Sequence, residues 1–208
     1  MPDSVPVLYL DDALVVVVKP AGLLAVPGRG EQLHDCAATQ VQARFPDALI
    51  VHRLDQATSG LLVFARGAAA QRMLSQAFAE RRVAKRYTAV VAGLLARDSG
   101  SIDLPLAADW PNRPRQQVDA VHGKPSLTHW RVLRRDAGAG TTRVALEPVT
   151  GRSHQLRVHL LAIGHAILGD ALYAPQLSAS RLMLHANELT IPHPDDARPM
   201  NFCSAAPF

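Results

Sequence analysis

The chain has 208 residues, of which 48% are hydrophobic and 19% charged, and its formal net charge is +4. This balance is typical of a folded globular protein and excludes a disordered chain, while the strand-sized apolar runs exclude a membrane-spanning helix. The start of the chain lacks the basic and then apolar pattern of a secretory signal, so we expect a cytoplasmic protein that does not bind membranes.

Arginine carries most of the positive charge, since lysine occurs only at positions 19, 85 and 124. A planar guanidinium suits bidentate contacts with phosphates and base edges better than an ammonium group does. The composition is therefore compatible with a nucleic-acid partner, although it does not establish one.

The hydrophobic pattern predicts strands and helices in irregular alternation, which favours an α+β fold with a mixed, mostly antiparallel central sheet flanked by helices. We expect residues 1–208 to form a single domain. Residues 97–126, rich in Pro, Asp and Arg, are predicted to be a long irregular excursion. In chain order the predicted elements are a strand at Leu14–Lys19, a helix at Leu33–Phe45, strands at Leu49–Val51 and Leu61–Phe64, a helix at Ala68–Glu80, a strand at Tyr87–Leu94, strands at Thr128–Arg134 and Arg143–Glu147, and a helix ending near Gly164.

The most informative stretch is His52–Gly60, which lies between two apolar runs. This arrangement predicts two strands joined by a short connection, with Asp55 where the first strand ends. Thr58 and Ser59 are residues able to hydrogen-bond the turn backbone. From the residues alone, Asp55 is either a structural turn residue or a catalytic carboxylate.

A second informative segment runs from Thr150 to Gly164. Ser153 is predicted to cap the start of a helix, and Gly164 to end it. His154 and Arg157 would share one face of this helix, where an arginine is either solvated or functional. The predicted apolar stripe on another face consists of Leu156, Leu160 and Ile163.

The string His-Arg-Leu-Asp-x-x-Thr-Ser-Gly at 52–60 and the string Thr-Gly-Arg-Ser-His-Gln-Leu-Arg-Val-His-Leu at 150–160 resemble two signatures of the RluA family of pseudouridine synthases, which act on ribosomal and transfer RNA. Val26–Arg29 and residues 103–114 look most like the small dual-specificity members, which modify a uridine in the tRNA anticodon stem-loop and one in a 23S rRNA stem-loop. Further stretches of resemblance are Lys19–Leu23, Lys85–Tyr87, Gly164–Tyr173 and Arg181–Ala186.

The resemblance implies the pseudouridine synthase catalytic fold, with an active-site cleft between two lobes and no N-terminal S4-type RNA-binding domain. It implies an isomerase that breaks the N-glycosidic bond of a uridine, turns the uracil and forms a carbon–carbon bond. That chemistry involves no redox change or phosphoryl transfer, so it implies no cofactor and no metal. RNA is the implied partner, and we expect a monomer without an obligatory protein partner.

The resemblance also implies a role for each site residue. Asp55 would be the catalytic residue, either as a nucleophile at the anomeric carbon or as a base that promotes a glycal intermediate. Arg157 would keep the Asp55 carboxylate charged, and the ring of Tyr87 would stack on the target base. Arg53 would contact the RNA and help to hold the nucleotide flipped out, and Leu184 would line the pocket.

Two other interpretations remain open at this point. The chain could be a catalytically silent RNA-binding module, or an N-glycosidase that releases free base. A metal site is disfavoured because His154 and His159 are five residues apart and face different directions on a helix.

The loop at Trp110–Arg115 is a candidate contributor to RNA recognition.

Overall fold

The computed structural model of the protein describes residues 5–28 and 34–208. Within these residues the chain divides into two compact units, each described below by itself: an N-terminal unit (5–28 and 34–85 with Ala186–Pro207) and a central unit (Arg86–His185 with Phe208). The elements are β1 (Val7–Leu10), β2 (Leu14–Lys19), α1 (Ala37–Arg44), β3 (Ala48–Ile50), β4 (Ser59–Arg66), α2 (Gly67–Ala79), β5 (Ala84–Ala92), β6 (Ser99–Asp103), β7 (Leu106–Ala108), a 3₁₀ turn (Trp110–Asn112), β8 (Gln116–Val118), β9 (Leu127–Asp136), β10 (Thr141–Pro148), α3 (Gln155–Ala162), β11 (Leu184–Pro192) and β12 (Pro199–Cys203).

The N-terminal unit is built on a sheet in the order β1-β2-β4-β11-β12, in which β3 also pairs with β4. The pairs β1/β2, β2/β4, β3/β4 and β11/β12 are antiparallel. Strands β2 and β4 are buried along almost their whole length, which explains their continuous runs of apolar residues. Helix α2 buries Ala70, Leu74 and Ala77 in the same core.

The central unit contains an antiparallel sheet in the order β5-β10-β9-β6 and a separate hairpin of β7 and β8. Helix α3 is joined to this sheet by polar contacts at Thr128 on β9. The Gln155 side-chain amide and the imidazole of His159 both bond the Thr128 hydroxyl, at 3.0 and 2.9 Å. The chain is therefore α+β with a mostly antiparallel sheet, as the sequence predicts.

Several predicted elements are confirmed closely, because their patterns are strong and local. Strand β2 has the predicted bounds, α2 is shifted by one residue, and β9 and β10 form the predicted hairpin. The predicted strand at Tyr87–Leu94 corresponds to β5, which begins three residues earlier.

The predicted start of the first helix is wrong where it can be compared. His34 and Asp35 are not helical, and α1 begins at Ala37. Cys36 caps the helix: the Thr39 N–H donates to its Sγ, and its own N–H donates to the Thr39 hydroxyl. Leu33, the predicted first residue, and Arg29 of the stretch Val26–Arg29 lie outside the described residues.

The prediction of an irregular excursion at 97–126 is also wrong in part. This segment contains β6, the hairpin of β7 and β8, and the 3₁₀ turn. Strand β6 lies at the edge of the sheet, where polar residues are tolerated because one side of the strand is uncovered. The polar composition of β6 therefore gives no strand pattern in the sequence, and its one deeply buried side chain is Ile102.

Helix α3 begins differently from the prediction and ends as predicted. Its N-cap is His154, in a left-handed conformation with φ 54°, and not Ser153. The Gln155 side-chain oxygen instead accepts from the Arg152 N–H, which stabilises the entry turn. At the other end Gly164 has φ +83°, its N–H bonds Leu161, and the next N–H bonds Leu160, which is a Schellman ending.

The predicted apolar stripe of α3 is only partly confirmed. Leu156 and Leu160 are buried, but Ile163 is exposed beyond the end of the helix. All residues from Gln155 to Leu160 are buried, so the helix is covered on more than one side. None of the helices in the described ranges is long and apolar enough to cross a membrane.

Candidate active site

Asp55 lies half-buried in the connection between β3 and β4. The predicted arrangement of strand, turn and strand is confirmed, since the two strands pair antiparallel. The predicted position at the end of a strand is wrong, because β3 ends at Ile50 and the connection runs to Thr58. The Thr58 N–H donates to the Asp55 carbonyl at 3.1 Å, so the carboxylate-bearing residue opens a tight turn. Arg53 is exposed in the same connection.

The turn at Asp55 is hydrogen-bonded to the segment Lys19–Leu23. The Lys19 side chain is fully buried, and its Nζ donates to the carbonyls of Gln56 (3.0 Å), Pro20 (2.8 Å) and Leu23 (2.7 Å). Gln56 and Gly22 also exchange two hydrogen bonds of 2.9 Å each. Buried ammonium groups require such partners, since an unmatched buried charge is costly. Two stretches that the resemblance treats separately are therefore one hydrogen-bonded structure.

Gly60, the last residue of the aspartate string, has a structural reason to be glycine. Its φ is +118°, and a Cβ at this position would lie 2.3 Å from the carbonyl oxygen of Ala186 on β11. Backbone this close leaves no room for a side chain. The glycine thus permits β4 to approach β11 directly after the turn that carries Asp55.

His52 anchors the other end of the connection. Its Nε2 accepts the Val63 N–H at 3.1 Å, and its ring stacks on Phe78 with centroids 4.7 Å apart. An Nε2 that accepts carries no proton, so the imidazole is neutral. Burial, assisted by the positive charge of Lys85, lowers the pKa of His52 to about 3.

This low pKa predicts a pH-dependent stability. The unfolded chain binds a proton on His52 below its ordinary pKa of 6.5, whereas the folded chain does not until about pH 3. Above pH 6.5 the neutral imidazole makes its full contribution to the free energy of unfolding. This contribution decreases as the pH falls below 6.5. The loss should reach up to about 2 kcal/mol between pH 7 and pH 5.

The test is to replace His52 by glutamine, which retains an acceptor and does not titrate. We expect urea unfolding of H52Q between pH 7 and 5 to lose less stability than the wild type, by up to about 2 kcal/mol. H34Q, at an exposed histidine of the same unit, is the matched control and should follow the wild type. Equal slopes for H52Q and wild type would show that this imidazole is not held neutral by the fold.

In the central unit, Tyr87 lies on the face of the sheet that α3 covers. Tyr87 on β5 pairs with Leu146 on β10, which pairs with Trp130 on β9. Directly paired residues share a face, and Thr128 lies two positions from Trp130 on the same strand and so points the same way. Since α3 bonds Thr128, the half-buried Tyr87 ring and the helix carrying Arg157 are on one side of this sheet.

Arg157 is buried and bound to Asp170. Its Nε and one Nη donate to the two carboxylate oxygens at 2.7 and 2.6 Å, and the side chains are only 6% and 1% exposed. The interpretation of Arg157 as a solvated helix residue is therefore wrong. Asp170 also accepts the N–H groups of Leu172 and Tyr173 at 3.1 Å, which fixes the carboxylate itself. This bidentate pair sets the orientation of the guanidinium.

Tyr173 links Arg157 to other parts of the central unit. The Arg157 guanidinium carbon lies 4.9 Å from the Tyr173 ring centroid, and that of Arg115 lies 5.2 Å from it. The Tyr173 hydroxyl accepts the Gln116 N–H at 2.7 Å and is also hydrogen-bonded to His154 Nδ1 at 2.7 Å. His154 and Arg157, predicted to share a helix face, thus meet at one tyrosine.

Leu184 begins β11 and is buried. The neighbouring backbone is tied to β5, since the Val90 N–H donates to the Met183 carbonyl at 3.1 Å. Of the predicted site residues, Arg53 and Asp55 belong to the N-terminal unit, whereas Tyr87, Arg157 and Leu184 belong to the central unit.

His159 is fully buried, with both ring nitrogens in hydrogen bonds to protein. Nε2 donates to the Leu104 carbonyl at 3.0 Å, so Nδ1 accepts from the Thr128 hydroxyl. Burial is the main cause that lowers the pKa of this imidazole. Across residues 5–28 and 34–208, no three His, Cys, Asp or Glu side chains are grouped as metal ligands.

Sequence reasoning assigned no role to His52, Asp170 or Tyr173. Asp170 and Tyr173 occurred only within a stretch of family resemblance, and His52 only as the first letter of the aspartate string. Their partners are 13 residues away for Asp170 and 57 for the Tyr173 hydroxyl, beyond any helix or strand spacing. The available signal was a carboxylate directly after Gly169 and a tyrosine three residues further on, and neither residue type identifies its partner.

The fold and these side chains define a class of protein. A solved structure, "Human RNA Pseudouridylate Synthase Domain Containing 1", superposes with a TM-score of 0.82 at 32% identity, covering 98% of this chain and 84% of that one. "Human RNA Pseudouridylate Synthase Domain Containing 4" has the same fold, with a TM-score of 0.77 at 24% identity over 97% and 88%. The chain thus has the fold of an RNA-modifying isomerase.

The family profile described as RNA pseudouridylate synthase matches residues 13–162, and the chain belongs to this family. The "Dual-specificity RNA pseudouridine synthase RluA" of Yersinia pestis is 54% identical over 205 residues, covering 97% of this chain and 99% of that protein. The protein of the same name from Escherichia coli is 50% identical, covering 97% and 93%. The chain is accordingly an enzyme that isomerises uridine in RNA to pseudouridine, as predicted.

Proposed function

We propose that this enzyme is a dual-specificity pseudouridine synthase that modifies one uridine in a tRNA anticodon stem-loop and one in a 23S rRNA stem-loop. The observation that carries the proposal is the 54% identity with a relative named as dual-specificity, over 99% of that relative's length. Identity at this level over nearly the whole length of both chains supports a shared substrate class as well as a shared reaction. We further propose that it acts in the cytoplasm, as a monomer, without an obligatory protein partner.

Asp55 is the proposed catalytic residue, acting on the ribose of the target nucleotide. It acts either as a nucleophile at C1′ or as a base that promotes a glycal intermediate. In both routes the bond from C1′ to N1 of uracil breaks, the base turns, and a bond from C1′ to C5 forms. The C5 proton is lost and N1 regains one, so no oxidant, reductant or second substrate is consumed. The buried Lys19 supports this role indirectly, because it holds the turn that presents Asp55.

The other site residues are proposed to bind the substrate. Tyr87 stacks on the extruded base, a contact worth about 1–3 kcal/mol and largely independent of the base. Leu184 supplies apolar surface to the base pocket. Arg157, oriented by Asp170, supplies a fixed positive charge, and the exposed Arg53 contacts the RNA and helps to hold the flipped-out nucleotide.

The proposal is tested with two short RNAs, a tRNA anticodon arm and a 23S rRNA stem-loop, incubated with the full chain in the presence of a metal chelator. Carbodiimide modification and primer extension should detect one pseudouridine in each RNA. Versions with cytidine at the target position are the controls and should show no stop. Each RNA should also inhibit modification of the other, since one site serves both.

The outcomes separate the parts of the proposal. Modification of only one RNA would refute dual specificity and leave the enzyme class intact. Release of free uracil, measured by chromatography of the same reaction, would indicate hydrolysis of the glycosidic bond and contradict isomerisation.

A further inference from the structure

Trp110 stands on the surface of the central unit in the 3₁₀ turn Trp110–Asn112. The residue is 67% exposed, although tryptophan is a large side chain that is usually well buried. The guanidinium carbon of Arg113 lies 3.5 Å from the centre of its ring. One ring face is therefore covered by a cation, and the exposed surface belongs mainly to the opposite face and the ring edge.

The segment that carries Trp110 is held by its own hydrogen bonds. The Asp109 N–H donates to Arg115, and the Arg115 N–H donates to Asn112, both at 3.0 Å. The Asn112 amide donates to the Asp109 carboxylate at 3.0 and 3.1 Å. These bonds fix the backbone on both sides of Trp110, so the exposed ring is presented on an ordered turn. A preorganised aromatic loses little entropy on binding.

The same segment is tied to the Tyr173 network. Arg115 lies over the Tyr173 ring, and the next residue, Gln116, donates its N–H to the Tyr173 hydroxyl. The Arg115 Nε is buried and, within the described ranges, lacks a hydrogen-bond partner, while the Tyr173 ring face gives this guanidinium a cation–π contact. Tyr173 in turn contacts Arg157 and His154. The Trp110 turn is thus physically continuous with the start of α3.

A planar aromatic face backed by a guanidinium matches the chemistry of an unpaired nucleobase. Bases in RNA loops are unstacked and bind aromatic and arginine planes, and the arginine charge also favours the adjacent phosphate. An aliphatic ligand would gain nothing from the cation behind the ring. An acidic peptide would use the arginine and leave the ring face unused.

We propose that Trp110 and Arg113 form a second base-stacking platform, separate from Tyr87, which binds one unpaired loop base of the RNA substrate. The proposal rests on the proposed function, because a stem-loop substrate supplies that base. The platform contributes to substrate binding and selection and takes no part in the chemistry. It reads an unpaired base at a fixed place in the loop, whatever its identity.

The test is a coupling experiment with abasic RNAs. The tRNA anticodon arm is prepared with one abasic nucleotide at each loop position in turn, leaving the target uridine intact. With the intact RNA, the W110A enzyme should have a Kd about fivefold to 150-fold higher than that of the wild-type enzyme. An RNA that is abasic at one particular loop position should bind the wild-type enzyme as weakly as the intact RNA binds W110A. With that abasic RNA, W110A should cause no further loss of affinity. W110F should retain most of the binding, and kcat at saturating RNA should change less than twofold in each variant.

V121A is the matched control, since Val121 is an exposed apolar residue of the same unit that lies outside the turn. It should bind every RNA as the wild type does. Tryptophan fluorescence provides a second readout: RNA should quench the wild-type emission, while W110F, which keeps the buried Trp130, should show little quenching. Additive losses for W110A and every abasic RNA would overturn the platform. Absence of pseudouridine with wild type would instead refute the proposed function, so the two failures are distinguishable.

Discussion

Replacing Asp55 by asparagine is expected to abolish pseudouridine formation while leaving RNA binding within a few-fold of the wild type. The amide has nearly the shape of the carboxylate but is neither a nucleophile nor a base at neutral pH. The turn should persist, because its backbone bond to Thr58 and the Lys19 contacts at Gln56 do not involve the Asp55 carboxylate. The measurement is single-turnover pseudouridine formation on the anticodon arm, with Kd determined by filter binding.

The control is D12N, which makes the same change at an exposed aspartate of the N-terminal unit. It should retain full turnover. Residual turnover by D55N within tenfold of the wild type would refute the catalytic assignment. Loss of RNA binding together with turnover would instead indicate that the carboxylate organises the site and does not perform the chemistry.

Replacing Asp170 by asparagine is expected to destabilise the enzyme by about 3–5 kcal/mol, because it leaves the buried charge of Arg157 without its partner. The Asn side-chain oxygen still accepts the N–H groups of Leu172 and Tyr173, whereas its NH2 group cannot accept from the Arg157 Nε–H, so the loss arises at the contact with Arg157. Urea unfolding at pH 7 measures the effect. Turnover should also fall, even under conditions where the variant is folded, since Arg157 loses its fixed orientation.

Asp98 offers the matched control, because it pairs with Arg135 at 2.8 Å in the same unit but is exposed. D98N should cost less than about 1 kcal/mol. The double variant R157M/D170N removes the buried charge as well and should recover part of the lost stability, while turnover stays low. Recovery of turnover together with stability would show that Arg157 only supports the fold and does not bind substrate.

The local patterns predicted those parts of the protein that depend on neighbouring residues. The β-branched run of β2, the helical spacing of α2 and the hairpin of β9 and β10 follow from short-range preferences and were confirmed. The strand-turn-strand arrangement around Asp55 follows from one polar string between two apolar runs. Short-range preferences did not predict the start of α3, because a left-handed His154 and the Gln155 side chain replace the expected serine cap.

Contiguous strings of residues were enough to predict most of the elements and, through the family resemblance that they carry, the class of reaction and the candidate site residues. The partners of those residues became known only from the three-dimensional structure. Lys19 bonds a carbonyl 37 residues away, Arg157 pairs with a carboxylate 13 residues away, and the Tyr173 hydroxyl binds an N–H 57 residues away. Charge and hydrogen-bond partners at such separations depend on how the strands and α3 pack, and no spacing along the chain encodes them.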